Sequence, residues 1–359
     1  MKQLIPFKPG PAQILFLTLC IALIFLPITS TTPVYSSAEA INITLVGDIF
    51  LGNWIEKYIQ KDPSYPYYHL TTILNQSDLL IGNLEAPLSL EGEVYVEKTY
   101  TLHCHPRGVQ TLTAGGFDAV TLANNHIMDF GPSALMETLD VLAKHNIKYA
   151  GAGTDINQAR TPAYLEKNGL RIALLAYNNT FPLEFNASAN TPGTAQGRRE
   201  YIEADVKRAK SSADIVIVSF HWSAELLKEP KPYQRALAKL SIDSGADLVF
   251  GHHPHVIQGI EIYKNRVIAY SLGNFIFSSY SKKVKDSMVL QVRMGIDGPQ
   301  AIVVYPINVD NHQVAFRPKP LTGEEASAAL EEFAALSGKL GTKIEIQGDK
   351  GEVLLTFGS

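Results

Sequence analysis

A chain of 359 residues, 46% apolar and 18% charged, has the make-up of an ordinary globular protein, with room for one large layered domain or two smaller ones. A formal net charge of -4, with no basic stripe and no acidic tail, argues against nucleic acid as a partner. Cysteine occurs only at positions 20 and 104, so a chain without its leader can form no internal disulfide, and Cys104 reads as a half-buried strand residue.

In chain order, the first feature is that leader. Lys2 and Lys8 precede an apolar run over 14–28, and Ala38 and Ala40 follow in an A-x-A arrangement. Residues 1–40 therefore read as a secretory signal peptide or an uncleaved signal-anchor, the run being slightly short of the roughly 17–25 residues that span a bilayer. The remainder is expected outside the cytoplasm, secreted or in the cell envelope. Near-continuous Val/Ile/Leu runs follow at 43–46, 78–83, 118–123, 171–177, 214–220, 247–251 and 266–273, the pattern of strands covered on both faces. Helices are expected between them at 53–60, 106–114, 132–145, 200–210 and 232–244, with Pro132 suited to a first turn. Residues 179–199, rich in Asn, Thr, Pro and Gly, read as a long loop or lid over a site. Beyond 281, MVLQVRM, AIVVYPINVD and QVAFRP predict strands, then a helix at 324–336 and two closing strands. The organisation is one α/β domain over 41–280 with a β-rich extension, 281–359, packed on it.

The chemistry gathers where these runs stop. Five of the ten histidines, His126, His221, His252, His253 and His255, stand at the ends of three apolar segments, and Asp48 and Glu85 end two others. Carboxyl ends of neighbouring strands converge on one crevice in open α/β sheets. Imidazole and carboxylate together suit one or two divalent ions such as manganese, zinc or iron. Taken singly, these residues also suit plainer structural roles: Asp48 could cap the helix after it, Glu85 could cap the chain before Pro87, and His126 could be a hydrogen-bonded structural residue. Asp129, three residues after His126, could orient its imidazole. Arg198 and Arg199 could clamp an anionic ligand or form a solvated pair. No GxSxG elbow and no phosphate-binding loop is present, which removes a serine hydrolase and a nucleotide-dependent ligase.

The loop sequences GDIFLG, GNLEAPLS, ANNHIMDFG, HWSAE, GHHPHVIQG and SLGNFIF, in this order over about residues 41–280, resemble the CapA family of bacterial capsule and poly-γ-glutamate synthesis proteins. That family's domain is similar to a divergent calcineurin-type metallophosphoesterase. The resemblance implies a four-layer α-β-β-α sandwich with a metal centre at the strand ends. It assigns Asp48, Glu85, Asn125, His221, His252 and His255 as metal ligands, with Glu85 bridging, and His126 as the group acting on substrate, supported by Asp129. His255 is preferred over His253 because Pro254 should hold His253 in an extended backbone facing away. Asn274 falls at the rim, as a donor to substrate. The pattern calls for a histidine where Phe50 stands, which leaves one ligand short. Two functions follow. One is a metal-dependent hydrolase acting outside the cytoplasm on a phosphoester or an anionic polymer linkage. The other is a non-catalytic, membrane-associated accessory protein that binds metal and anionic polymer beside the membrane components of a synthesis or export complex.

Overall fold

The computed structural model describes residues 40–355 together with Met1 and Gln3, and the leader expected near the N-terminus lies outside the described residues. Its strands in chain order are β1 (Ile41–Phe50), β2 (Leu79–Leu84), β3 (Ala119–Thr121), β4 (Lys148–Ala150), β5 (Ala152–Gly153), β6 (Ala163–Lys167), β7 (Leu170–Asn178), β8 (Gly193–Thr194) and β9 (Ile215–His221). They continue as β10 (Leu248–His252), β11 (Ile257–Tyr263), β12 (Arg266–Leu272), β13 (Asn274–Phe277), β14 (Asp286–Gly295), β15 (Gly298–Asn308), β16 (Lys319–Pro320), β17 (Ile344–Gln347) and β18 (Lys350–Val353). One sheet runs β17-β18-β15-β14-β1-β2-β3-β4, with β13 also beside β1 and β16 beside β15. The second runs β11-β12-β10-β9-β7-β6, and β5 pairs with β8 as a small ribbon.

Side-chain alternation along the strands builds three cores and hence four layers. Ile43, Leu45, Leu79 and Ile81 of the first sheet pack against Ile172, Leu174, Ile215 and Ile217 of the second. On the outer face of the first sheet, Leu80 and Val120 meet Leu112, Leu135, Leu139 and Leu142 from the helices Gly108–Ala114 and Gly131–Lys144. On the outer face of the second, Val216, Val218 and Val249 meet Ile202, Val206, Leu237 and Ile242 from the helices Arg199–Lys210 and Pro232–Asp243. Each such buried aliphatic side chain contributes about 1.5–3 kcal/mol against conformational entropy. The protein is therefore a mixed α/β, four-layer α-β-β-α sandwich.

The C-terminal strands join the first sheet. β14 runs antiparallel to β1 over Ile41–Leu45, and β13 takes over alongside it, in parallel, from Asp48. The helix Gly323–Gly338 sends Ala326, Leu330 and Phe333 into the core between the sheets. One expected strand is not formed: QVAFRP begins inside the short helix Asn311–Val314 and continues through Ala315 and Phe316, which have φ of 49° and 63°. Local capping overrides its strand propensity. The Asp310 carboxylate accepts from His312 N at 3.0 Å, and Asn311 Nδ2 donates to the carbonyls of Phe277 and Ser279 at 2.7 and 2.6 Å. The stretch 179–199 is more ordered than a plain loop, since it contains the turn Leu183–Phe185 and the strand β8.

At Gly47 the chain passes so close to β13 that an added Cβ would lie 1.9 Å from the Gly273 carbonyl oxygen. The backbone N–H of the next residue, Asp48, donates to that same oxygen at 3.0 Å. Gly47→Ala is expected to lower unfolding free energy by about 1–3 kcal/mol through overpacking, measured as a shift in the urea midpoint at unchanged m-value.

Candidate metal centre

Strand register aligns the polar ends in two rows. Across the first sheet, Asp48 of β1 pairs with Asn83 of β2 on one side and Asn274 of β13 on the other. Across the second, His221 of β9 pairs with His252 of β10 and with Asn178 of β7. An irregularity in the β1–β2 pairing between Leu45 and Asp48 re-aims the end of β1, as bulges do beside sites.

Glu85, directly after β2, lies at the centre and is fully buried. Neither carboxylate oxygen has a hydrogen-bond partner among the described residues. His221 Nε2 is 3.5 Å and His255 Nε2 3.8 Å from Glu85 Oε1. Two groups of three offer ligand atoms mutually within 4.8 Å: Asp48, Glu85 and His255, and Glu85, His221 and His253. Asn125 joins the second group, its Oδ1 being 2.7 Å from His221 Nε2. Asn83 Nδ2 donates to Asp48 Oδ1 at 2.9 Å and its Oδ1 accepts from Asn124 Nδ2 at 3.1 Å.

The expectation for the three clustered histidines changes. Pro254 does not hold His253 extended; its φ is 91°, and His255 follows at 58°. The tight double turn brings both rings to the site, with His253 N donating to Asp48 Oδ2 at 3.3 Å. His252, assigned from sequence as a ligand, lies outside both groups: its Nδ1 is 3.0 Å from Asp48 Oδ1, and its ring stands edge-on to Phe250. The spacing H-x-H is therefore met by His253-Pro254-His255, one residue later than a motif starting at His252. Phe50, where the resemblance calls for histidine, is buried 5.5 Å from Phe277, which in turn lies 4.9 Å from His255. That flank of the site is an aromatic wall.

The charges explain each other. Burial alone would raise the Asp48 carboxyl, but His252 and His255 outweigh it and hold it well below its usual range. Glu85 is pushed well above its usual value, first by burial and then by the Asp48 charge. Burial and the neighbouring His255 hold His253 down at about 3, a neutral imidazole with an available lone pair. Burial works against a charge on His255 as well, yet the Glu85 and Asp48 carboxylates raise it to about 10. Two carboxylates and three imidazoles, with both Glu85 oxygens and His253 Nδ1 orphaned, fit a divalent cation.

His126 and Asp129 form a second cluster beside the first. His126 Nδ1 is 2.6 Å from Asp129 Oδ2, and Lys98 Nζ is 2.6 Å from Asp129 Oδ1. Lys98, in the stretch between β2 and β3, joins the cluster with no periodic signal in the sequence to announce it. Asn274 Oδ1 lies 2.8 Å from His255 Nδ1, so this side chain faces a site histidine. Arg198 and Arg199 are exposed at the start of their helix. Arg198 donates to Gln196 and covers Tyr201, and neither arginine forms a hydrogen bond or ion pair with the cluster.

Residues 42–279 match the family described as bacterial capsule synthesis protein PGA_cap. The chain belongs to this family. Among its relatives, the capsule biosynthesis protein CapA of Bacillus anthracis is 32% identical over 292 residues, covering 79% of this chain and 70% of that one. The PGA biosynthesis protein CapA of Bacillus subtilis (strain 168) is 34% identical over 276 residues, 76% and 73% of the two chains. Among solved structures, the calcineurin-like phosphoesterase YfkN of Bacillus subtilis aligns over 79% of this chain and 88% of its own, with 13% identity and a TM-score of 0.40. The NAD nucleotidase of Haemophilus influenzae aligns over 81% of this chain but 55% of its own, with 13% identity and a TM-score of 0.41.

Metal should stabilise this family member directly. Manganese or zinc at about 100 times its Kd is expected to add about 2.7 kcal/mol to unfolding free energy, read by thermal or urea denaturation. Because the adjacent Glu85 and His255 together hold a proton that a bound cation would displace, uptake releases it, so apparent affinity rises with pH between about 6 and 8. Equal affinity across that range in calorimetric titrations would remove these two groups from the ligand set.

Proposed function

We propose that this capsule synthesis family protein is a metal-dependent hydrolase acting outside the cytoplasm, on a phosphoester or on a linkage of an anionic polymer. The observation that carries the reading is the orphaned Glu85 carboxylate, shared between two three-residue groups at the joint end of both sheets. A divalent ion held there would supply Lewis acidity and acidify water.

The chain's own groups do the rest. Asp48, Glu85 and His255 would hold one ion, and Glu85, Asn125, His221 and His253 a second. The His126–Asp129 contact places the Nδ1 proton on the carboxylate side, which leaves Nε2 as the nitrogen that exchanges a proton with a reacting oxygen. Burial pushes the His126 pKa down, against the pull of Asp129, and so favours the neutral ring. The apolar run at 14–28 supports an extracytoplasmic location, with membrane components of a synthesis or export complex as partners. Periplasmic or surface fractions lacking the protein on immunoblots would rule that location out.

A second reading is favoured by Phe50. The Asp48 group lacks the imidazole that the resemblance calls for, and a probable polyglutamine synthesis accessory protein of Mycobacterium tuberculosis is 32% identical over 60% of this chain. In that reading the protein binds metal and polymer without turnover. The two separate on a substrate panel of phosphomonoesters, phosphodiesters and γ-glutamyl polymer. His126→Ala is expected to lower kcat by about 100-fold or more while metal content stays at the wild-type level. Turnover unaffected by that substitution removes His126 from the reaction, and no turnover on any substrate while metal still binds supports the accessory role.

A further inference from the structure

We infer that Lys98 is a positioning residue of the metal centre, carried to it by a stretch of chain that has no regular structure. Three polar groups surround its ammonium group. Nζ contacts the backbone carbonyl of Asn125, lies 2.6 Å from Asp129 Oδ1, and stands 3.1 Å from His126 Nδ1. The shorter His126–Asp129 contact, 2.6 Å, takes the imidazole proton, so the ammonium acts on the other carboxylate oxygen and on the carbonyl. One cation thereby fixes two things. It turns Asp129 so that Oδ2 meets His126, and it anchors the main chain of Asn125, whose side chain reaches His221 at 2.7 Å.

The stretch that delivers Lys98 is itself folded around Asp129. Tyr95 N donates to the Asp129 carbonyl at 2.9 Å, and Leu102 N donates to Asp129 Oδ2 at 2.7 Å. Gly92, with φ of 98°, passes so close to the Phe130 carbonyl that an added Cβ would sit 2.0 Å from that oxygen. The Lys98 side chain is largely sheltered, packed over the Phe185 ring at 5.2 Å, and Asp129 is fully buried. A buried carboxylate held from both sides by a lysine and a histidine fixes the His126 ring, and the same ammonium holds the main chain of the ligand Asn125. Loss of such an outer partner of a metal ligand costs about 10–100-fold in metal affinity or activity. A lysine serving only to pin down an exposed loop would have no reason to reach the Asn125 carbonyl.

The inference rests on the metal-site reading above, and the test keeps the two apart. Manganese binding to the full-length protein is measured by calorimetry for wild type, Lys98→Met, Lys98→Arg and Tyr95→Ala. The Tyr95 substitution removes that side chain's stacking on Phe185 and loosens the same stretch without touching Asp129. Lys98→Met is expected to weaken manganese binding about tenfold or more, with Lys98→Arg recovering part of the loss and Tyr95→Ala binding as wild type. Where turnover is found, Lys98→Met lowers kcat with KM within about threefold, since the residue touches no substrate. Wild-type affinity and kcat in a folded Lys98→Met protein overturn the inference, as does an equal loss of affinity in Tyr95→Ala, which marks a loop-holding role. If Lys98→Met fails to fold, Lys98→Gln decides: manganese binding about tenfold weaker while Tyr95→Ala binds as wild type supports positioning by charge, and wild-type affinity in Lys98→Gln refutes it. A wild-type protein that binds no manganese overturns the metal-site reading and this inference with it. Binding without turnover fails the hydrolase reading alone.

Discussion

A buried carboxylate with no donor to satisfy it among the described residues sets the terms for everything around it. Glu85 is fully buried at the meeting edge of two sheets, and an isolated ionised carboxylate there would cost far more than the fold's net stability. It must stay protonated or meet a cation. The rest of the centre suits the second outcome: His221 and His255 approach it, Asp48 stands behind, and the neutral His253 offers a lone pair. Polar groups of this kind are tolerated in a core because they are completed by something other than protein.

The frame that makes this possible is ordinary packing. Three apolar cores clamp two sheets so that the carboxyl ends of β1, β2, β9 and β10 fall on one edge, and the register fixes which side chains share a row. Nothing in that frame is specific to metal. Specificity comes from a few departures: the pairing irregularity before Asp48, the close passage at Gly47, and two reversals at His253 and His255.

Those departures also mark what the sequence can convey. Buried strands that end in Asp, Glu or His are legible, because unbroken Val/Ile/Leu runs announce both the strand and where it stops. Asp48, Glu85, Asn125 and His221 can be picked out on that basis together with the family's motif order. His253 escapes such a reading because the backbone preference before a proline is weak, and here it yields to a turn that packs two rings against carboxylates. Lys98 is invisible because its stretch has no period, and its role depends on Asp129, which lies 31 positions away. The strand expected at QVAFRP fails for a related reason, since capping by Asp310 and Asn311 outweighs the propensity of the residues that follow.

The pairing of β14 with β1 carries a consequence for where this protein can be cut. The family match ends at residue 279, yet the strand that carries Asp48 finds its antiparallel neighbour only at Asp286–Gly295. A chain ending at the family boundary would leave the backbone of Ile41–Leu45 unpaired on that side, an apolar edge open to any other strand in solution. Recognition by likeness and independence in folding thus have different borders in this molecule. The segment past 279 is part of what keeps the strand that carries Asp48 from pairing with foreign chains.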